Sequence, residues 1–289
     1  MPLVRAGFTR DVTDDEVERF WADGVVHLEG VLDPDFVGTM APAIERLIAS
    51  GELADLTLMG AELSDETAGD GRFLSGVDHW MHHAEFRDFA ARSALPALAG
   101  ALIKSDRVYL YEDSVLVKEP HTANETKFHT DMGYFHVDGD QVCTTWVPLD
   151  PATPSSGAVA YVRASHRWDD DIRPNLFVTD EVLPGTDGVV APDVAADPGR
   201  FDVISFESQP GDVVIHHART LHGAPGNSSA TRRRAISVRY CGDDARYRVK
   251  PGAPLKPHHH EVRAGASVEH EACPMVWEAA TGTSLHFET

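Results

Sequence analysis

Apolar residues recur at helical spacing along the first hundred residues of the chain. Thr13 and Glu16 form a capping-box pattern at the start of one predicted helix. Asp33 and Pro34 begin a second helix, because proline is favoured at the first helical position. Its predicted apolar face consists of Phe36, Met40, Ile44, Leu47 and Ile48. The run 25–32 between the two helices is predicted to be a strand.

From Arg107 onward the pattern changes to short β-rich runs separated by Gly, Pro, Asp and Ser. These runs are 107–118, 142–149, 157–162, 202–206, 211–216 and 234–240. Closely spaced strands without alternating helices are typical of a sandwich or jelly roll, whereas a parallel α/β sheet would alternate strands with helices. We therefore predict a mainly β fold with flanking helices, built on a double-stranded β-helix (jelly roll, cupin-like) core.

The length of 289 residues, 42% of them hydrophobic, is enough to bury one full core, so we expect a single catalytic domain over 1–289. Its predicted parts are a mostly helical segment 1–106, a jelly-roll core 107–241 and a C-terminal extension 242–289. A polar insertion at about 168–200 interrupts the core as a crossing loop. Residues 51–71, rich in Gly, Asp and Glu, are predicted to form an exposed loop that could cover a site.

Charge and cysteine content narrow the possible partners. The formal net charge of −21 disfavours binding to a phosphate backbone, so nucleic acid is not an expected partner. Three scattered cysteines do not make a disulfide framework, which favours a cytoplasmic location. The N-terminus has no apolar signal segment, and no run of about 18 apolar residues predicts a membrane span. A small molecule is the expected partner; the sequence does not indicate an oligomeric state.

A candidate metal site lies in the segment KFHTDMGYFHVDG. His129 and Asp131 are two residues apart, so on a strand both side chains would project from one face. Two histidines and one carboxylate can bind iron(II) and leave positions open for dioxygen and a cosubstrate. On its own, H-x-D is a weak motif in a chain with 16 histidines.

The best candidate for the third ligand is His222, which follows the predicted strand GDVVIHH and precedes a turn rich in Gly and Pro. His136, His216 and His217 are rival metal ligands. Each is also interpretable as a structural histidine or as one that contacts a metal-binding residue. The spacing alone does not exclude them.

A candidate anion site follows in TRRRAISVRY. An arginine that points into a barrel can bind a carboxylate through its planar fork. Alternation places Arg233 and Arg234 on opposite faces of the predicted strand, and Arg232 precedes them. Strand geometry does not choose among the three, and a solvated basic edge is the alternative.

Together these motifs resemble those of the phytanoyl-CoA dioxygenase family of iron(II)- and 2-oxoglutarate-dependent oxygenases. The resemblance covers nearly the whole chain and rests on FWADGVVHLEGVLDPDFV, VLVKEP, FHTDMGYF, TTWVPLDPATPSSGAVAYVRASHRW, QPGDVVIHHARTLHGAPGN and RRAISVRY. It implies that His129, Asp131 and His222 bind iron(II), and that Arg233 binds the cosubstrate 2-oxoglutarate, with O2 as the second cosubstrate.

By the same matching, Lys118 and Trp146 would line the cosubstrate pocket, although a snorkelling lysine and a core tryptophan are the alternatives. Many family members have H-x-S where this chain has HGA, so a hydroxyl near the cosubstrate is missing. Arg233, with Thr144 or a water, would then carry more of the cosubstrate binding. Tyr134 and Tyr111 are candidate substrate contacts.

The implied activity is oxidation of an unactivated C–H bond in a small polar metabolite or natural-product intermediate, with hydroxylation as the expected outcome. Desaturation, epimerisation or ring formation would use the same site. A lyase or isomerase with a redox-inert metal, and a ligand-binding jelly roll without catalysis, are the alternatives from other classes.

Overall fold

The computed structural model describes residues 7–58, 71–197 and 199–281. Its helices are α1 Asp14–Asp23, α2 Pro34–Gly38, α3 Ala41–Ser50, α4 His79–His82, α5 Ala84–Arg92 and α6 Leu95–Ile103. Its strands are β1 Val25–Leu28, β2 Ala54–Asp55, β3 Phe73–Val77, β4 Arg107–Lys118, β5 Thr126–His129, β6 Val137–Asp138, β7 Val142–Pro148, β8 Ala160–Val162, β9 Val203–Ser205, β10 Val213–His217, β11 His222–Ala224, β12 Arg233–Cys241, β13 Arg246–Tyr247 and β14 Met275–Glu278.

The strands form two main antiparallel sheets. The larger has the order β1-β10-β7-β12-β4-β3-β2, with β14 also paired to β4. The smaller has the order β5-β11-β8-β9, and β13 pairs with β6 separately. Side chains from both sheets line a shared interior. This arrangement confirms the predicted mainly β fold with flanking helices and a jelly-roll core.

Side chains alternate along β12 between the two faces of the larger sheet. Ile236, Val238 and Tyr240 point outward into the main core, where they meet apolar residues of the N-terminal helices. Arg233 and Ser237 point the other way, toward the smaller sheet. The helices therefore support the outer face of the sheet and leave its inner face available for chemistry.

The N-terminal predictions hold in outline. Thr13 and Glu16 form the predicted capping box of α1. The predicted second helix is two helices, because the chain turns at Thr39 and Met40 and α3 restarts with Pro42 in its first turn. The predicted strand 25–32 is shorter and consists of β1 alone.

The predicted crossing loop is described except at residue 198. Over 168–197 and 199–200 it contains no helix or strand, only isolated bridges such as Ile172 with Val189. Within the predicted loop 51–71, residues 59–70 lie outside the described residues, and 54–55 form β2. No described helix is long and apolar enough to cross a membrane. Each cysteine is buried and unpaired.

Asp113 on β4 is a buried acid outside the candidate site. Burial raises its pKa to about 7; the Trp80 N–H bonded to it opposes the shift, whereas the charges of Asp78 and Glu112 add to it. Because the unfolded pKa is about 3.9, the acid's contribution to stability is complete below that pH and is lost as pH rises through about 7.

We therefore predict that Asp113→Asn becomes more stable relative to the wild type as pH rises. Between pH 5.5 and 8.5 the difference in unfolding free energy should grow by up to about 2 kcal/mol, measured by urea denaturation at both pH values. Asp88→Asn, which changes an exposed acid, is the control. A difference that does not change with pH would show that Asp113 is not the titrating group.

Candidate metal centre

Three predicted ligands meet where the smaller sheet ends. His129 is the last residue of β5 and His222 the first of β11, and the two are directly paired across the sheet. Asp131 does not lie on the strand, so the premise that H-x-D shares one strand face is wrong. Beyond His129 the backbone hydrogen-bonds within its own turn, and 131–133 form a 3-10 helix. The turn nevertheless directs the carboxylate toward both imidazoles.

The ligand atoms of these residues lie within 4.8 Å of one another. Asp131 Oδ1 is 3.8 Å from His129 Nε2 and 3.9 Å from His222 Nε2. The opposite ring nitrogens are occupied: Nδ1 of His129 is 2.7 Å from the Lys127 carbonyl, and Nδ1 of His222 is 2.9 Å from the Thr220 carbonyl. A carbonyl can only accept, so each Nδ1 carries the proton and each Nε2 presents a lone pair. This donor set fits a metal ion.

The protonation states of the two histidines and of Asp131 also fit metal binding. Burial, with a smaller effect from neighbouring histidine, lowers the pKa of His129 to about 3 and that of His222 to about 4. Both rings are therefore neutral near pH 7, as metal ligands must be. For Asp131, burial raises the pKa, but the His216 hydrogen bond and nearby positive charge outweigh it and hold the pKa well below its ordinary value.

The second carboxylate oxygen of Asp131 is bound by two side chains. Thr144 Oγ1 donates to Oδ2 at 2.5 Å, and His216 Nε2 lies 3.1 Å from the same atom. Thr144 and His216 are adjacent across β7 and β10, so the large sheet fixes both. Thr144 was expected near the cosubstrate. It contacts Asp131, a candidate metal ligand, and so does His216.

The other rival histidines are directed elsewhere. His217 Nε2 is 2.8 Å from the Asp140 carbonyl, and His136 Nε2 lies 3.1 Å from that of Pro254. Neither belongs to a described cluster that could hold a metal. A second such cluster, Glu52, His79 and His83, lies in the N-terminal helical part.

Arg233 is a buried cation at the start of β12, only 2% exposed. Nη2 donates to the Gly157 carbonyl at 3.0 Å, and the guanidinium lies 5.7 Å from the centre of the Trp146 ring. Burial lowers its pKa to about 10, which leaves it charged near pH 7. It forms no ion pair with a described carboxylate, a costly state for a buried guanidinium. The site fits an anionic ligand.

Its two neighbours in sequence are paired at the surface. Arg232 and Arg234 both form ion pairs with Glu45, and Arg234 also binds Asp150 at 2.8 Å. These two match the alternative interpretation of the basic run as an exposed edge.

Lys118 lies opposite Arg233 on β4 and is fully buried. Its Nζ donates to the carbonyls of Ala224 and Pro225, at 3.3 and 2.6 Å, so it fixes the turn after β11. Burial, and secondly the charge of Arg233, lower its pKa well below the ordinary value. Lys118 was expected to line the cosubstrate pocket, but it is not among the described residues that line the two cavities beside the triad.

A narrow cavity joins the three candidate ligands to Arg233 and Trp146. Two buried polar atoms in its lining, Trp146 Nε1 and Tyr161 Oη, have no hydrogen-bond partner among the described residues. Tyr161 was not predicted; it stands beside His222 in the register of β8 and β11, a pairing that the sequence does not reveal. Unpaired buried donors beside an unpaired guanidinium strengthen the case for a carboxylate ligand.

A larger cavity of about 540 Å³ adjoins the first and is lined by His129 and Asp131 as well as by Tyr134 and Tyr111. Tyr134 Oη is held by Asn175 of the insertion, whose backbone N–H donates to it at 3.1 Å. Both tyrosines thus lie where a molecule beside the triad would contact them.

Comparison with known proteins agrees with this geometry. The sequence profile described as Phytanoyl-CoA dioxygenase (PhyH) matches residues 20–235. The 1-deoxypentalenic acid 11-beta-hydroxylase of Streptomyces exfoliatus is 29% identical over 223 residues, covering 74% of this chain and 75% of the relative.

SnoK and SnoN are among the solved structures that share the fold. The non-heme alpha ketoglutarate dependent carbocyclase SnoK from nogalamycin biosynthesis has a TM-score of 0.73 at 23% identity, covering 94% of this chain and all of SnoK. The epimerase SnoN, in complex with Fe3+, alpha ketoglutarate and nogalamycin RO, has a TM-score of 0.68 at 25% identity, covering 91% of this chain and 98% of SnoN. Since the profile spans most of the chain, the protein belongs to the phytanoyl-CoA dioxygenase family of iron(II)- and 2-oxoglutarate-dependent oxygenases.

Proposed function

We propose that this enzyme hydroxylates an unactivated C–H bond of a small metabolite or natural-product intermediate, using iron(II), 2-oxoglutarate and O2. The observation that carries the proposal is the buried triad of two Nε2 atoms and one carboxylate oxygen beside an unpaired buried guanidinium. The relative named as a hydroxylase favours hydroxylation. Epimerisation and ring formation are the second candidate, because SnoN and SnoK share the fold.

In this proposal His129 Nε2, Asp131 Oδ1 and His222 Nε2 hold the metal, and the backbone carbonyls behind the two rings keep both imidazoles oriented. Bound iron(II) and 2-oxoglutarate together activate dioxygen for oxidation of a C–H bond. The protein contributes orientation and a buried site from which bulk water is excluded.

Arg233 is the proposed anchor for the distal carboxylate of 2-oxoglutarate. Trp146 Nε1 and Tyr161 Oη are the unpaired donors that would complete the binding of the cosubstrate. Gly157 has a φ of 86°, and a Cβ there would lie 3.3 Å from Arg233 Nη2. Glycine thus permits both the turn and the close approach of the guanidinium.

We also propose that residues 1–289 act as one catalytic domain. The helical part packs on the outer face of the sheet that carries Arg233 and Thr144. The insertion contributes Phe177 to both cavities, so residues of the insertion and of the core strands form the site together.

Replacement of Thr144 by Val distinguishes two roles for its hydroxyl. Because that hydroxyl donates to Asp131, we expect Thr144→Val to lower the affinity for iron(II) about 10- to 100-fold, with the KM for 2-oxoglutarate unchanged at saturating iron. Metal titration and steady-state kinetics measure these quantities.

Thr145→Val is the matched control, since the neighbouring hydroxyl donates to the Val238 carbonyl instead. Unchanged iron affinity with a raised KM for 2-oxoglutarate would place the Thr144 hydroxyl on the cosubstrate.

The experiment that tests the proposed function is a screen for succinate formation from 2-oxoglutarate with iron(II), across a library of small metabolites. A substrate that raises succinate formation and gains one oxygen atom, seen by mass spectrometry, supports hydroxylation. A product that has lost hydrogen or changed only its stereochemistry would favour the second candidate. Conversion without oxygen uptake would indicate a lyase or isomerase.

A further inference from the structure

A second cavity-facing arginine lies on β12, six residues beyond Arg233. Alternation puts Arg239 on the same side as Arg233, with Ala235 and Ser237 between them. At about 3.4 Å per residue their Cα atoms are about 20 Å apart. Arg239 lines both the narrow and the larger cavity, whereas Arg233 lines only the narrow one. The two arginines therefore lie at different positions in the interior, and of the two it is Arg239 that borders the larger cavity.

The guanidinium of Arg239 is incompletely paired. Its Nη1 donates to Ser114 Oγ at 2.5 Å and lies 3.7 Å from the Glu112 carboxylate. Its Nε is buried and has no hydrogen-bond partner among the described residues. The side chain is 11% exposed, so bulk water does not fully solvate it. The edge formed by Nε and Nη2 is the one that binds a carboxylate through two parallel hydrogen bonds.

Three acids lie near this guanidinium, and each has other partners. Asp131 is bound by Thr144 and His216, and Lys256 engages Glu112 and Asp78. Lys256 Nζ lies 3.0 Å from Glu112 Oε2 and 2.7 Å from Asp78 Oδ1. Lys256 is itself held in place, since Nζ also donates to the Tyr111 carbonyl at 3.3 Å. Lys256 thus pairs with both of these carboxylates, and among the described residues that line this cavity Arg239 is a cation whose Nε has no hydrogen-bond partner.

The rest of the larger cavity is rich in aromatic surface. The rings of Tyr111 and Phe135 pack together at 4.9 Å between centroids, and Phe177 lines the wall next to His129. Such a lining binds an apolar body, while a few polar groups fix its orientation.

We propose that Arg239 binds a carboxylate of the substrate, which makes the substrate a carboxylic acid with a largely apolar body. This inference rests on the proposed function and names the substrate class for it. With the acid held at Arg239, the apolar body extends along the cavity that His129 and Asp131 also line. Arg239 is a specificity-determining residue in this account.

The test uses three rigid probes of equal shape: adamantane-1-carboxylate, adamantane-1-carboxamide and adamantan-1-amine. Each is titrated calorimetrically into the full chain loaded with iron(II) and saturating 2-oxoglutarate under nitrogen, so that Arg233 is occupied and no turnover occurs. We expect the carboxylate to bind the wild type roughly 10- to 100-fold more tightly than the amide.

Arg239→Gln should remove that preference, and Arg239→Lys should keep part of it, because lysine retains the charge and loses the fork. Arg46→Gln, which removes an exposed arginine paired with Glu85, should keep it fully. Thermal unfolding confirms that each variant is folded.

Equal binding of carboxylate and amide, no binding of the carboxylate to the wild type, stronger binding of the amine, or a preference that survives in Arg239→Gln would each overturn the inference. Titration of 2-oxoglutarate into Arg239→Gln keeps this result separate from the proposed function. Unchanged 2-oxoglutarate affinity leaves the cosubstrate site intact whatever the probes do, whereas failure of the wild type to bind 2-oxoglutarate would contradict the proposed function itself.

Discussion

Asp131→Ala should abolish oxidation of 2-oxoglutarate by this protein. Asp131 supplies the carboxylate oxygen nearest both free imidazole nitrogens, at 3.8 and 3.9 Å, and is the only acid of the triad. Loss of an outer hydrogen bond to a ligand costs about 10- to 100-fold in metal affinity or activity. Loss of the ligand itself should exceed this, and we expect a fall of at least roughly a thousandfold in succinate formation. Coupled assays of succinate and metal content after dialysis measure it.

Asp131→Asn is the conservative companion, because it keeps the shape of the side chain and removes the charge. Asp138→Asn, an exposed acid on β6, is the matched control and should retain activity. Circular dichroism verifies folding of each variant. Full activity of Asp131→Ala would refute the assignment of this triad as the metal site.

Arg233→Gln is expected to raise the KM for 2-oxoglutarate about 10- to 100-fold. The guanidinium is buried, and among the described residues it hydrogen-bonds only to backbone carbonyls, so it can give a carboxylate a strong, desolvated pair of hydrogen bonds. Metal affinity should stay the same, since Arg233 contacts no triad residue among its described hydrogen bonds. Steady-state kinetics with varied 2-oxoglutarate provide the measurement.

Arg232→Gln is the control for this result, because it removes the adjacent arginine, whose partners are Glu45 and Glu119 at the surface. It should leave the KM for 2-oxoglutarate unchanged. If Arg232→Gln raised the KM and Arg233→Gln did not, the anchor would be the wrong arginine.

The long strands of the core were predictable because their sequences carry the signal. β4, β7 and β12 are rich in β-branched and aromatic residues and match their predicted runs to within a residue or two. Some short strands were also found, since β8, β9 and β10 fall on predicted runs, but β3 and β11 were not predicted as strands. β3 contains a glycine and β11 consists of His222, Gly223 and Ala224, so each depends on pairing with distant strands.

The candidate site was likewise predicted only in part. The resemblance to the family singled out the triad and Arg233, and the structure brings the triad residues together. The turn at Asp131 was missed because H-x-D looks the same on a strand and at its end. His216 on Asp131 and Lys118 on the turn after β11 depend on side-chain directions between distant strands, which one sequence does not specify. Arg239 was the omission with a usable signal, since the alternation through Arg233, Ala235 and Ser237 reaches it.

The most direct test of the account is an oxygen-electrode trace of the protein loaded with one equivalent of iron(II), with ascorbate present as the electron donor that replaces the substrate, started by addition of 2-oxoglutarate. The account predicts oxygen uptake that requires both iron and 2-oxoglutarate and is matched by an equal amount of succinate. Uptake no faster than that of the iron-free protein, or uptake without succinate, would contradict it.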